Sequence, residues 1–208
     1  MLELLPGIGV VLPDGAGTLR FGMTPDEAEV MLKAAPRSHR GRQCMTLARA
    51  DYKELRHAHD AWLTGILFDP AWSTCAVFDG VTVTVAGGGP GRTDRLTSIN
   101  IGPDPSSGAP SATPVVWDGV DLFGHPVKDV VSVLPEPVRP SLPAVTSPRT
   151  TTEVTVEPLG LRLSENPSAA DRWSRLTLLG TPTGWETCCA GTFACAGDGD
   201  GLVGILRY

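Results

Sequence analysis

A helix start at residues 24–27 (Thr-Pro-Asp-Glu) constrains the fold of this chain more than any other feature of its sequence. Thr24 offers a side-chain oxygen to the first free amides of a helix, and proline suits the first helical position that follows it. Glu27 comes three residues after Thr24, which completes a capping box and places negative charge where the helix dipole favours it. Because Pro36 cannot continue a helix, the sequence predicts a helix that begins after Thr24 and ends by Ala35.

A fainter copy of the same pattern occurs in the second half of the chain. Phe21-Gly22 precedes the first helix, and Phe123-Gly124 precedes a second apolar periodicity over residues 126–134. When Gly22 is aligned with Gly124, apolar residues of the two helical stretches coincide, and an extended run leads to each Phe-Gly pair. The sequence therefore predicts one module that is used twice.

The predicted fold is α+β, with two similar halves that each pack a short helix on an antiparallel sheet. Residues 104–114 are rich in Pro, Ser and Ala, a composition that is typical of a linker. We therefore expect a first module over residues 1–103 and a second over residues 115–208. The alternative is a single β-rich domain in which the repeat arises by chance.

Strands are predicted on both sides of this linker. The best supported are residues 73–78 and 81–85, because Asp79-Gly80 between them favours a two-residue hairpin turn. In the second of these strands valine alternates with threonine, which predicts one buried face and one face open to water. Further strands are expected at residues 7–12, 44–47, 61–68, 96–101, 115–117, 120–123, 151–156, 161–163, 173–179 and 202–206, with a loop at 136–149.

Charge and composition argue against several classes of function. The 208 residues carry a net charge of −6, and the basic residues are scattered, unlike the basic stripe of a nucleic-acid-binding protein. No basic and apolar leader opens the sequence, and no run of about 18 apolar residues occurs, so we expect neither secretion nor a membrane span. Five cysteines, an odd number without a leader, predict free thiols in the cytoplasm.

Two clusters of potential metal ligands occur in the sequence. His57, His59 and Asp60 are spaced as in some metal-dependent hydrolases, but the further ligands of such a site are not recognisable. The three cysteines of residues 188–195 include an adjacent pair, which chelates one ion poorly, and they lack a fourth ligand. We expect no metal and no cofactor, and the hydrolase is the alternative function. Over residues 180–201 we expect a weakly packed tail with reduced thiols.

The stretch Gly22-Met23-Thr24, echoed at Phe123-Gly124, resembles the opening of the tandem α/β modules in the β-lactamase inhibitory protein and the outer-membrane-assembly lipoprotein domain. It is also similar to actinobacterial cytoplasmic proteins of the same build. The resemblance implies a capped helix and a curved antiparallel sheet in each module, and it carries over no functional residue. The secreted inhibitors have disulfides, which the cysteine pattern of this sequence does not predict.

The predicted function is a non-enzymatic protein-binding module, such as an immunity-type or inhibitory protein. Sheet-and-helix modules present a broad concave face, and aromatic residues often anchor an interface. Each aromatic candidate also fits a place in the hydrophobic core, and both interpretations stay open here. The expected partner is another protein, and not nucleic acid or a membrane. The candidate binding residues are Trp62, Phe68, Trp72, Phe78 and Trp117.

Overall fold

The computed structural model describes residues 1–41, 72–87, 94–104, 113–135, 138–140, 153–165 and 171–180. The α-helices in these ranges are α1 (Pro25–Leu32) and α2 (Val127–Val133). The strands before α2 are β1 (Leu2–Leu5), β2 (Gly9–Leu12), β3 (Gly17–Arg20), β4 (Arg37–Gly41), β5 (Trp72–Phe78), β6 (Val81–Gly87), β7 (Leu96–Pro103), β8 (Val115–Trp117) and β9 (Val120–Asp121). The strands after α2 are β10 (Val138–Pro140), β11 (Glu153–Val156), β12 (Leu161–Glu165) and β13 (Trp173–Leu179).

An eight-stranded antiparallel sheet forms the larger part of the described structure. Its strand order is β10-β11-β12-β13-β7-β6-β5-β4, so two runs of four consecutive strands meet where β7 pairs with β13. At this junction Leu176 pairs with Ile101 and Leu178 pairs with Ile99, and all four side chains are at most 1% exposed. Apolar cross-strand pairs stabilise a sheet, so the junction holds together strands that are far apart in the sequence.

A second sheet, of five strands, also combines distant parts of the chain. Its order is β3-β2-β1-β8-β9, in which β1 runs parallel to β8 and the other neighbours are antiparallel. The sequence does not predict β1, although Leu2 and Leu4 are buried in it, because four residues give only a short periodic signal. The parallel partner of Leu2 is Val115, which no local pattern identifies.

The described helices and sheets contribute to one hydrophobic core. Helix α1 lies against β5 and β3 and buries Ala28 and Leu32. Helix α2 buries Val130, and the amide of Val127 donates a hydrogen bond to the carbonyl of Asp171 just before β13. Removal of these apolar side chains from water is the main contribution that stabilises the packed arrangement.

The strongest local predictions are confirmed. The Thr24 hydroxyl accepts a hydrogen bond from the Glu27 amide at 3.3 Å, and Glu27 Oε2 accepts one from the Thr24 amide at 2.8 Å, so the capping box is formed. In the hairpin between β5 and β6, Asp79 and Gly80 have positive φ angles of 39° and 83°, as a type I′ turn requires. The α+β class is also confirmed, with antiparallel pairing in every described strand pair except β1 with β8.

The edge strands of the larger sheet depart from the prediction. The sequence does not predict β4, and it predicts a loop across residues 136–149, where β10 forms. Arg-Ser-His-Arg-Gly and Val-Arg-Pro lack the apolar alternation by which a strand is recognised. Charged residues and proline at an edge also discourage pairing with other chains. The strands expected at residues 44–47, 61–68 and 202–206 lie outside the described residues.

The two Phe-Gly pairs have different structural roles. Gly22 has a φ of 87°, a conformation that glycine adopts without steric cost. A Cβ atom at Gly124 would instead overlap the carboxylate of Asp121. That carboxylate accepts hydrogen bonds from the amides of Val115 and Phe123 at 3.3 and 3.2 Å. The glycine of the Phe-Gly pair therefore permits a turn at residue 22, and at residue 124 it leaves room for the Asp121 carboxylate to lie close to the backbone.

Replacement of the cap tests the local account of α1. Thr24→Ala removes the acceptor of the Glu27 amide, so we expect the free energy of unfolding to fall by about 1 kcal/mol. Thr24→Ser keeps a hydroxyl at the same place and should retain most of the stability. Urea denaturation of the three proteins measures both differences. An unchanged midpoint for Thr24→Ala would show that this hydroxyl does not cap the helix.

The charge of Glu27 gives the cap a pH dependence. Hydrogen bonds from the Thr24 amide and hydroxyl, followed by the positive charge of Arg95, hold the pKa of Glu27 below its usual range. Since the pKa is lower in the folded state, the stabilisation is present above the unfolded pKa and is lost as the pH falls through the folded value. We expect wild type to be more stable than Glu27→Gln near neutral pH, and this difference to shrink as the pH falls through the folded-state pKa of Glu27. A difference that does not change with pH would contradict this role.

Candidate functional site

The eight-stranded sheet separates two kinds of side chain. Successive side chains of a strand point to opposite faces, and residues paired directly across strands share a face. Val83, Ile101 and Leu176 form one such row, and each is at most 1% exposed. This apolar face belongs to the hydrophobic core. Thr82 and Thr84, which flank Val83 along β6, therefore lie on the opposite face.

The opposite face carries hydroxyl and amide groups, and we refer to it as the polar face. Its central row crosses six neighbouring strands, from β5 to β11, in continuous register. That row consists, in spatial order, of Cys75, Thr84, Asn100, Thr177, Arg162 and Thr155. Ser73 and Ser98 lie in the row on one side of it, and Thr82 lies in the row on the other side. These nine residues define the polar face.

The threonines of β6 are buried, and the prediction that their face is open to water is wrong. Thr82 and Thr84 are 8% and 7% exposed, and Asn100 on the neighbouring strand is 7% exposed. Burial of a hydroxyl or amide costs free energy unless a hydrogen bond replaces the one to water. Alternation in a strand predicts which residues share a face, whereas the exposure of that face depends on what packs against it.

Two hydrogen bonds connect members of the central row. The hydroxyl of Thr177 donates to Asn100 Oδ1 at 2.7 Å, which joins β13 to β7 on the polar face. The hydroxyl of Thr84 donates to Cys75 Sγ at 3.5 Å, a weaker contact between β6 and β5. Some of the polar groups in the central row are therefore hydrogen-bonded to other members of the row.

On strands β5, β6 and β7, three further polar atoms of this face have no hydrogen-bond partner. In the described part of the chain, Ser73 Oγ, Thr82 Oγ1 and Asn100 Nδ2 are buried without a hydrogen-bond partner. They lie on the adjacent strands β5, β6 and β7, and each leaves a desolvation cost of about 1–3 kcal/mol uncompensated. Because native proteins seldom leave buried polar groups unmatched, these three atoms make the polar face the candidate binding surface.

Cys75, also on this face, is 3% exposed and disulfide-bonded. The expectation of free thiols is therefore wrong for this residue. The number of cysteines predicts their redox state only if the compartment is known. A disulfide also requires two cysteine Cα atoms about 4.4–6.8 Å apart, and the sequence does not give this distance. The cysteines of the predicted tail, residues 180–201, lie outside the described residues.

An ion pair joins β4 to the end of β7, beside the polar face. Arg37 on β4 lies 2.5 Å from the carboxylate of Asp104, just after β7. The Asp104 side chain is 3% exposed, and its backbone amide donates to the carbonyl of Gly80. Loss of the arginine would leave a buried negative charge without this partner, so the pair holds β4 in place at the edge. Asp104, the first residue of the expected linker, is thus packed into the structure.

Three of the five aromatic candidates lie within the described residues. Phe78 is 4% exposed and belongs to the hydrophobic core. Trp72 and Trp117 are half-buried and pack against that core. Trp62 and Phe68 lie outside the described residues, and the assignment of the five side chains to an interface stays a prediction.

The residues of the alternative hydrolase, His57, His59 and Asp60, also lie outside the described residues. Among the residues that are described, no group of three or more His, Cys, Asp or Glu side chains is placed to hold a metal ion. Over the same ranges, none of the helices has the length and apolar character needed to cross a membrane.

Comparison with known proteins gives no family for this chain. No protein-family model matches it, and no curated protein or solved structure matches it significantly. The resemblance to the modules of the β-lactamase inhibitory protein therefore stays a prediction from the sequence.

Two matched substitutions test the hydrogen bonds of the polar face. Thr82→Val removes a buried hydroxyl without a partner and keeps the side-chain shape, so we expect the free energy of unfolding to rise by about 1 kcal/mol. Thr177→Val removes the hydroxyl that bonds to Asn100, and we expect a loss of about 1 kcal/mol. Urea denaturation of both variants measures the changes. Changes of the same sign would contradict this assignment of matched and unmatched groups.

Proposed function

We propose that this protein is a non-enzymatic protein-binding module, of the immunity or inhibitory type, that engages another protein through its polar face. The observation that carries the proposal is the set of three unmatched atoms, Ser73 Oγ, Thr82 Oγ1 and Asn100 Nδ2, on adjacent strands. A partner that offers carbonyl and hydroxyl groups to these atoms supplies hydrogen bonds that the chain alone does not make.

The chemistry of the face favours a polypeptide as the partner. On the central strands β5 to β7 its side chains are hydroxyl, amide and sulfur groups rather than charged ones. Neutral donors and acceptors match backbone amides and carbonyls, whereas a phosphate or a free carboxylate is best matched by cationic groups. Rows of the sheet also repeat every two residues, about 7 Å, which is the side-chain repeat of an extended chain lying along the strands.

The central part of the polar face is buried, because Ser98 is 4% exposed and Asn100 is 7% exposed. A partner therefore reaches these side chains only in a conformation in which the face is open. Hydrogen bonds to the three unmatched atoms favour that open conformation, so binding of the partner shifts the population towards it.

We further propose that the chain consists of two related modules, residues 1–103 and 115–208, joined by residues 104–114. In support, α1 precedes the four strands β4 to β7, and α2 precedes the four strands β10 to β13. Within each run of four, consecutive strands are antiparallel neighbours. This order of elements is what the resemblance to the tandem modules of the β-lactamase inhibitory protein implies.

Photo-crosslinking in the native host tests the binding function. Arg175 is exposed at a polar-face position of β13, and Val30 is 60% exposed on α1. A photoreactive residue in place of Arg175 should capture a specific protein, and the same residue in place of Val30 is the matched control. With that protein purified, Asn100→Ala should weaken binding about fivefold, the effect of one neutral hydrogen bond. Val30→Ala should leave the affinity unchanged.

Two results would contradict this function. One is capture of the same proteins from both positions, because binding would then not depend on the polar face. The other is stoichiometric zinc or manganese in the purified protein that is lost in His57→Ala, which would favour the hydrolase instead.

A further inference from the structure

Gly102 on β7 has three hydrogen-bond donors around it on the polar side of the large sheet. It pairs with Thr82 of β6, and the register of β7 with β13, continued by one residue, brings Arg175 to its other side. Asn100 precedes it by two residues on β7. Residues that pair across strands share a face, as do residues two apart along one strand. Thr82, Asn100 and Arg175 therefore border the same position.

The glycine leaves that position without a side chain. In the described part of the chain, a Cβ atom at Gly102 would have one neighbour within 4 Å, the carbonyl oxygen of Ser174 at 3.2 Å. Neighbouring strands lie about 4.8 Å apart, and residues two apart along a strand about 7 Å, so the three donors border one small space. We call this space the Gly102 notch. Glycine inside a strand often marks a place where a ligand approaches the backbone closely.

Two of the three donors are buried and have no acceptor among the described residues. Thr82 and Asn100 are 8% and 7% exposed, and Thr82 Oγ1 and Asn100 Nδ2 lack a hydrogen-bond partner. Asn100 Oδ1 already accepts a hydrogen bond from Thr177 at 2.7 Å, so the amide nitrogen is the atom that remains to be satisfied. An oxygen acceptor in the Gly102 notch would offset part of the desolvation cost of both groups.

Arg175 adds a positive charge to the notch. It is exposed and takes part in no ion pair with a described residue. Two described carboxylates near this row have partners of their own. Glu153 Oε1 accepts a hydrogen bond from the hydroxyl of Ser164 at 3.2 Å. Asp104, just after β7, pairs with Arg37. The notch therefore favours an anion that carries oxygen acceptors.

We propose that the Gly102 notch binds the carboxylate of an aspartate or glutamate side chain of the partner protein. A carboxylate has two oxygen atoms and one negative charge, which match two neutral donors and one guanidinium. A phosphate dianion carries more charge than one guanidinium compensates, and the Asp104 carboxylate, two residues beyond Gly102, opposes a second negative charge. The inference rests on the proposed function, because the acidic residue belongs to the protein that engages the polar face.

The notch lies where the polar face meets solvent. Along its row, exposure rises from Thr82 at 8% through half-buried Gly102 to exposed Arg175. An acidic side chain can therefore pair with Arg175 before the buried part of the face opens, and attraction between charges speeds and orients such an encounter. Hydrogen bonds from Thr82 and Asn100 to the carboxylate then favour the open conformation. This order of contacts lets a partner recognise a face that is largely buried.

Acetate tests the notch without the partner. In NMR titrations at constant ionic strength, acetate should shift the Gly102 amide and the Asn100 side-chain amide in a saturable way. Acetamide has nearly the same shape but no charge, so it should bind at least about tenfold more weakly. Arg175→Gln should weaken acetate binding about tenfold for the same reason. Arg20→Gln removes an exposed arginine from β3 in the other sheet and is the matched control.

Thr82→Val separates binding from stability. This variant should be more stable than wild type, so weaker acetate binding would not result from unfolding. We expect its affinity for acetate to fall about fivefold, the effect of one neutral hydrogen bond. The inference is overturned if acetate gives no saturable shift at Gly102, if acetamide binds equally well, or if Arg175→Gln binds acetate as wild type does. Inorganic phosphate that binds the notch more tightly than acetate would also overturn the assignment to a carboxylate.

The two proposals fail separately. Covalent capture from position 175 records even a complex that loss of the arginine has weakened, so the captured protein can be tested against the chain with Arg175 intact. A captured partner that binds Arg175→Gln as tightly as wild type supports the binding function and overturns the carboxylate site. Saturable acetate binding in the notch, together with no captured partner, supports the carboxylate site and overturns the binding function.

Discussion

The pairing of β7 with β13 is the interaction on which the rest of the structure depends. Each strand is the last of a run of four, and their pairing makes one eight-stranded sheet with two continuous faces. On one face Ile101 and Leu176 are buried together, and on the other Asn100 accepts a hydrogen bond from Thr177. A slip of one residue would exchange the two faces, so the apolar pair and the polar pair specify the same register. Both the core and the polar face follow from that register.

Local physics made part of this fold predictable. The cap at Thr24 and the turn at Asp79-Gly80 act within a few residues, and α1 and the hairpin form where the sequence predicts them. Elements that depend on distant partners were not predictable. Strand β1 has only four residues and pairs with the distant β8 as well as with β2, and the edge strands β4 and β10 lack apolar alternation and each pair with one described neighbour. The expected linker also begins at Asp104, whose buried carboxylate pairs with Arg37, a residue far away in the sequence.

For the candidate site, the sequence predicts only the alternation of side chains within each single strand. Alternation correctly places Thr82 and Thr84 on one face, but the burial of that face is a non-local property. Phe78, which its aromatic character makes a candidate interface residue, belongs to the core because it lies on the apolar side of β5. Alternating small polar residues in three successive strands are the sequence signal for the polar face, and only the strand register shows that they are neighbours. They are Ser73 and Cys75, Thr82 and Thr84, and Ser98 and Asn100.

If the junction between β7 and β13 unites the eight strands, they open as one cooperative unit. Native-state hydrogen exchange followed by NMR tests this directly, because it gives the free energy of opening for each amide. Amides of β6 and β12, on opposite sides of the junction, should exchange with the same free energy, equal to that of global unfolding. Two distinct values, one for β4 to β7 and another for β10 to β13, would show that the halves open separately and would contradict a single cooperative sheet.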